Sequence, residues 1–126
     1  KYLKSNNVPF TPVKLYRCSA EKVISYYKSV ALTLGMRGHG QMIPFGIGNC
    51  IISIVTHDKM KWFLDDNELN EYGLEFSQDN FAEILEAKSR FIMANLNLVQ
   101  GKLNDRQEKL AVVCRENAKL VYSSFR

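Results

Sequence analysis

The 126-residue chain contains no run approaching the roughly 18 consecutive apolar residues that a membrane-spanning helix needs. No segment of it reads as a secretory signal. A dense basic run is also missing: its 17 Lys and Arg are scattered between acidic and apolar residues. That spacing argues against a nucleic-acid arm, so nucleic acid is not an expected partner. Cysteine is scarce and odd in number. Cys18, Cys50 and Cys114 match neither a metal-ligand spacing nor a disulfide framework. They read as reduced thiols of a cytoplasmic protein, at most peripheral to the inner membrane face, with no metal and no cofactor expected. A full dinucleotide-binding glycine fingerprint and a phosphate-loop lysine are absent as well.

What remains is an ordinary globular composition, 46% apolar and 24% charged, in a chain long enough for one hydrophobic core. The net charge of +4 suits an anionic small molecule. The chain begins Lys1-Tyr2-Leu3-Lys4 without an initiator Met and soon enters strand-like sequence. It is therefore expected to belong to a longer protein whose remaining part lies N-terminal.

Residues 1–12, with Pro9 and Pro12, read as a loop. Alternating Val13 to Cys18 predicts a short strand, and Ser19 with Glu21 opens a helix over residues 20–29. Ala31 to Met36 is a short uncharged run, as expected of a parallel strand buried on both faces. Gln41 to Gly46 suits a short helix, and Pro44 requires that its first turn lie near Gly40. Cys50 to Val55, β-branched and apolar, is the clearest strand. A helix from about Lys59 to Asp66 follows, with Met60, Phe63 and Leu64 inward, and Leu74 to Phe76 suggests an edge strand.

Beyond Ser77 the pattern turns helical. Asn80 and Glu83 resemble a capping box, and apolar positions from Phe81 to Val99 trace one long helix. Gly101 to Asn104 is expected to break it, and a second helix runs to Ser123 with Leu110, Val113, Leu120 and Val121 inward. The expectation is an α/β fold: a parallel Rossmann-like half-domain over 1–76, with a C-terminal helical hairpin over 77–126 packed on it.

Ligands of such sheets bind at the carboxyl ends of the strands. Two loops there carry chemistry. Arg37-Gly38-His39-Gly40 combines a planar cationic fork, glycines that admit close approach or positive φ, a titratable imidazole and a following helix N-terminus. The second loop, His57-Asp58-Lys59, adds a lysine for phosphate charge, with Asp58 read as a plain helix cap. Together they suit a substrate bearing both carboxylate and phosphate, with one proton transfer. A structural reading is also open, with Arg37 in an ion pair and His39 capping or packed in the core.

The segment Val23 to Leu69 resembles the C-terminal domain of the polysaccharide pyruvyl transferase family. The similarity rests on Gly35-Met36-Arg37-Gly38-His39 after an apolar run, Gln41 to Gly46, the strand Cys50 to Val55, and His57-Asp58-Lys59 leading into a helix. It covers roughly a third of the chain, and Gly38 stands where many relatives carry a larger apolar residue. The resemblance implies a two-domain, glycosyltransferase-B-like protein that moves a pyruvyl group from phosphoenolpyruvate to a sugar or lipid-linked saccharide acceptor. It further implies that Arg37 binds the donor's carboxylate or phosphate, that His39 acts as general acid, and that Lys59 helps hold phosphate. The family's N-terminal half is absent, so this chain alone is expected to be inert. Two other classes stay open: a sugar-nucleotide glycosyltransferase, with Glu68 or Glu71 gripping a ribose diol, and an interaction module using the C-terminal helices.

Overall fold

A computed structural model describes residues 2–125. After α1 (Tyr2–Ser5), an irregular segment leads to α2 (Ala20–Lys28), β1 (Leu32–Gly35), α3 (Gly38–Gly46) and β2 (Cys50–Val55). Then come α4 (Asp58–Asp66), a 3-10 turn (Asn70–Tyr72), β3 (Gly73–Glu75), α5 (Phe81–Ala94) and α6 (Leu96–Ser124). The fold is α/β, with one parallel sheet of three described strands in the order β1-β2-β3.

The strand expected at Val13 to Cys18 does not form. Among the described residues no neighbouring strand offers it a ladder, Cys18 N–H turns back to the Leu15 carbonyl, and Arg17 adopts φ +59°, which ends any extended run. Alternation alone cannot supply the missing partner. The next helix follows its signals: the Ser19 hydroxyl accepts from Lys22 N–H at 3.4 Å.

All six residues of β2 are buried, because this central strand is covered on both faces. The Ser53 hydroxyl donates to the Gln41 side chain of α3, and the Cys50 thiol lies 4.0 Å from the Leu96 carbonyl of α6. Since 50 and 53 differ by an odd number, α3 and α6 lie on opposite faces of the sheet. The α4 helix shares α3's face, where the Phe45 and Phe63 rings meet edge-on at 5.6 Å. Met60 and Leu64 point inward as the spacing predicts.

Edge strand β1 differs from its expectation. With one neighbour only, it leaves Leu34 48% exposed rather than buried on both sides. Helix α3 starts earlier than expected, and Pro44 falls in its second turn. A proline there forfeits the bond to the Gly40 carbonyl. That carbonyl lies against β1 instead, where a Cβ on Gly35 would come within 2.6 Å of it. Pro44's own carbonyl accepts from the N–H groups of Ile47 (3.3 Å) and Asn49 (2.9 Å), and Gly48 closes the turn at φ +83°. The buried Asn49 amide then donates to the carbonyls of Tyr27 and Val30, tying down the end of α2.

The C-terminal helices depart most from the hairpin. Asn80 sits at φ +61° and makes no side-chain cap bond, so the capping box does not form. The break falls at Asn95, and α6 runs unbroken through Gly101 to Asn104. Its first turns belong to the core: Val99 and Leu103 are buried with Ile92 of α5. Leu110, Val113, Leu120 and Val121, expected inward, are exposed, Leu120 by 65%. A helical residue advances about 1.5 Å along the axis, so the later turns of α6 reach past the sheet they would need to cover.

Candidate functional site

The carboxyl ends of β1 and β2 each run into a helix by the same device. Two residues past the strand end, Arg37 and His57 take extended backbone (φ −140°, ψ 154°; φ −151°, ψ 151°) at the caps of α3 and α4, and neither side chain caps its helix. Asp58, expected as the cap, is instead the first residue of α4. His39 and Lys59 then occupy equivalent places, each the second residue of its helix. Between the loops the Thr56 hydroxyl donates to the Met36 carbonyl at 3.4 Å. The sequence places both loops on one rim, and the sheet order brings them there side by side.

The α3 end is the better anion site. Its first three N–H groups, on Gly38, His39 and Gly40, have no intrahelical acceptor, and its first turn holds no acidic residue. Aligned peptide dipoles add about 0.3–1 kcal/mol for an anion at such an end. By contrast, α4 carries Asp58 in its first turn, which opposes a second anion there. Arg37, His39, His57 and Lys59 are all exposed, and their side chains make no hydrogen bond or ion pair among the described residues. The structural alternatives for Arg37 and His39, an ion pair and a cap or core role, are therefore not realised.

Gly38 and Gly40 do not use positive φ; both are helical. Gly40 serves close packing instead, its carbonyl lying against Gly35. Around Gly38 there is room, since an added Cβ would meet only the Met42 sulfur at 4.0 Å. Beneath the loop the buried Gln41–Ser53 hydrogen bond fixes the first turn of α3 to β2. Gln41 Nε2 and Thr33 Oγ1, both buried, have no partner among the described residues.

A cleft of about 300 Å³ opens between the ends of β2 and β3, lined by Thr56, His57, Asp58, Lys61, Glu75 and Phe76 among others. It takes in His57 but not Arg37, His39 or Lys59. Lys61, Glu75 and Phe76 escape a sequence reading, because Glu75 and Phe76 reach the rim only once β3 pairs in parallel with β2. The only sequence signal at Phe76 is an aromatic residue ending the run expected as an edge strand, and nothing in the run says that 60% of it faces solvent.

A second hollow, about 420 Å³, lies between α6 and the segment leading into β3, at the opposite end of the sheet from the rim. Its charges are matched: Arg106 pairs with Glu68, and Lys102 Nζ lies 3.9 Å from Glu71 Oε2. Among the described residues no group of three or more His, Cys, Asp and Glu could hold a metal ion. No described helix is long and apolar enough to cross a membrane. The chain matches no family model, no curated protein and no solved structure.

Proposed function

We propose that this chain is the donor-binding part of a pyruvyl transferase that moves a pyruvyl group from phosphoenolpyruvate to a saccharide, within a Rossmann-like, glycosyltransferase-B-like protein. One observation carries the reading: the acid-free N-terminus of α3 bears Arg37 at its cap and His39 in its first turn, both exposed and unpaired. Phosphoenolpyruvate offers the two anionic groups and the proton-accepting carbon that such a set can use. Arg37 pairs with one anionic group through its planar fork, and the free N–H groups of α3 take the other. Lys59, one strand over, adds charge against phosphate.

In this mechanism His39 donates a proton to the methylene carbon of the enol ester, and positive charge develops at the neighbouring carbon. A sugar hydroxyl attacks that carbon and gives up its proton, restoring the histidine. Cleavage of the carbon–oxygen bond to phosphate then expels phosphate, which carries away the proton of the second hydroxyl as that oxygen closes the ketal. Proximity of both hydroxyls to the carbon turns two encounters into one bound reaction.

The sugar-nucleotide alternative loses its candidates. Glu68 and Glu71 lie away from the rim, facing Arg106 and Lys102. A second reading, an interaction module, is favoured by the apolar residues Leu110, Val113, Leu120 and Val121 exposed along one helix, α6.

Calorimetric titration with phosphoenolpyruvate, beside a UDP-sugar, tests the proposal. Binding of phosphoenolpyruvate that is lost in Arg37→Ala and in His39→Ala is expected. Tight UDP-sugar binding without phosphoenolpyruvate binding would overturn it.

A further inference from the structure

The cleft between the ends of β2 and β3 has a chemistry unlike that of the α3 end. Phe76 forms one wall. Its N–H donates to the Val55 carbonyl at 3.2 Å, continuing the β2–β3 ladder past Glu75. Its ring is held edge-on by Phe81 at 5.5 Å and 65° while 60% of the residue faces solvent. A large ring fixed in place and left exposed is a platform waiting for a flat apolar surface. Around it stand Asp58 and Glu75, which accept hydrogen bonds, and Lys61, which donates them. None of these three is in an ion pair among the described residues.

Two carboxylates against Lys61, with His57 beside them, leave no surplus of positive charge for an anion, and Asp58 already occupies the positive end of α4. A wholly apolar ligand would strand both carboxylates without partners. A ligand with one C–H face and several hydroxyls satisfies every wall. The cleft, about 300 Å³, is at the lower end of small-molecule sites and suits about one sugar ring.

We infer that this cleft is a saccharide subsite, in which Phe76 stacks on the C–H face of a neutral hexose while Asp58 and Glu75 accept its hydroxyl protons. Thr56 lines the same cleft and bonds to Met36, the residue before Arg37, so the sugar lies beside the proposed donor. Its role as acceptor of the pyruvyl group rests on the function proposed above; its binding does not.

The test is a ¹⁵N–¹H NMR titration of the protein with methyl galactoside and with methyl glucoside. Saturable shifts confined to residues 55–61 and 75–77 are expected for at least one of the two. Phe76→Leu, which keeps an apolar contact with Phe81 but removes the ring, should weaken that binding by about threefold to tenfold. Phe76→Trp should preserve it, and Glu75→Gln should weaken it. Shifts that are absent for both glycosides, spread over the molecule, or unchanged in Phe76→Leu would overturn the inference. So would methyl phosphate occupying the same cleft more tightly than either glycoside. Arg37→Ala separates the two readings: it abolishes phosphoenolpyruvate binding and leaves glycoside shifts intact. Glycoside binding with the expected map but no phosphoenolpyruvate binding would keep the subsite and remove the transferase.

Discussion

Replacing Gly35 by alanine probes how β1 hands the chain to the candidate anion site. An added Cβ would lie 2.6 Å from the Gly40 oxygen, 2.8 Å from its carbonyl carbon and 3.1 Å from Gln41 N. Close carbon–oxygen contacts in proteins sit near roughly 3.3 Å, so the first turn of α3 must retreat by about 0.7 Å. Every atom in the way is backbone, and no rotamer change relieves the clash. Overpacking of this kind costs about 1–3 kcal/mol. For a chain of this size, each kcal/mol moves the melting temperature by about 4 °C, so Gly35→Ala should melt about 4–12 °C lower. The same retreat carries the His39 and Gly40 N–H groups with it, so phosphoenolpyruvate binding should weaken together with stability. Circular dichroism melts and calorimetry read the two effects. Gly46→Ala is the control, since a Cβ there meets nothing within 4 Å. It should leave stability unchanged or raise it by up to about 1 kcal/mol. A Gly35→Ala protein within about 0.5 kcal/mol of the parent would refute the packing argument.

Three further outcomes follow from the same geometry. Gly101→Ala lies inside α6 with open space around its Cβ, so it should stabilise the protein by about 0.5–1 kcal/mol in urea unfolding; destabilisation would mean that the helix breaks there after all. Leu103→Ala should cost about 2–5 kcal/mol because Leu103 is 1% exposed, whereas Leu120→Ala, 65% exposed, should stay within about 0.5 kcal/mol; equal costs would show that the end of α6 is covered. Alkali should destabilise the fold. Burial, then the Glu71 carboxylate, pushes the Tyr72 hydroxyl up to about 12 from 10.0, and burial raises the Cys50 thiol above 9.0. Both raised groups hold their protons longer in the fold than in the unfolded chain. Their stabilisation is therefore complete below pH 9 and falls as pH rises toward 12. A melting temperature that is flat from pH 8 to 11, or that falls equally in Tyr72→Phe, would contradict this assignment.

Sequence pattern carries β2 and α4 almost unchanged into the structure because the information they need is local. An unbroken β-branched run and a stripe at Met60, Phe63 and Leu64 define their own periods. Three of the departures share one cause: dependence on a partner elsewhere in the fold. Val13 to Cys18 has strand alternation and, among the described residues, no strand to pair with. Leu110 to Val121 has helical periodicity, but the sheet lies beyond its reach. Pro44 is admitted to a second turn only because Gly35, nine residues earlier, receives the displaced Gly40 carbonyl. The candidate site divides in the same way. Arg37, His39, His57 and Lys59 stand next to their strands and are readable from spacing, whereas Glu75 and Phe76 enter only through the register Val55↔Glu75.

That division has a physical consequence for how the rim can work. Strands in the order β1-β2-β3 joined by α3 and α4 on one face set the two helix starts side by side. Repetition alone would give two similar anion sites, with Arg37 and His39 answering to His57 and Lys59. A single residue breaks the equivalence. Where α3 has Gly38 as its first helical residue, α4 has Asp58, whose carboxylate takes up the helix's positive end and turns the neighbouring cleft toward hydroxyl donors. Substituting Asp58→Asn removes that charge without changing side-chain shape. It should therefore make the β2–β3 cleft more receptive to phosphate and less to a sugar, measured with methyl phosphate and methyl glycosides in the same NMR titration. If both affinities stay unchanged, the polarity of the rim is set elsewhere, and the equivalence of the two loops carries no functional meaning.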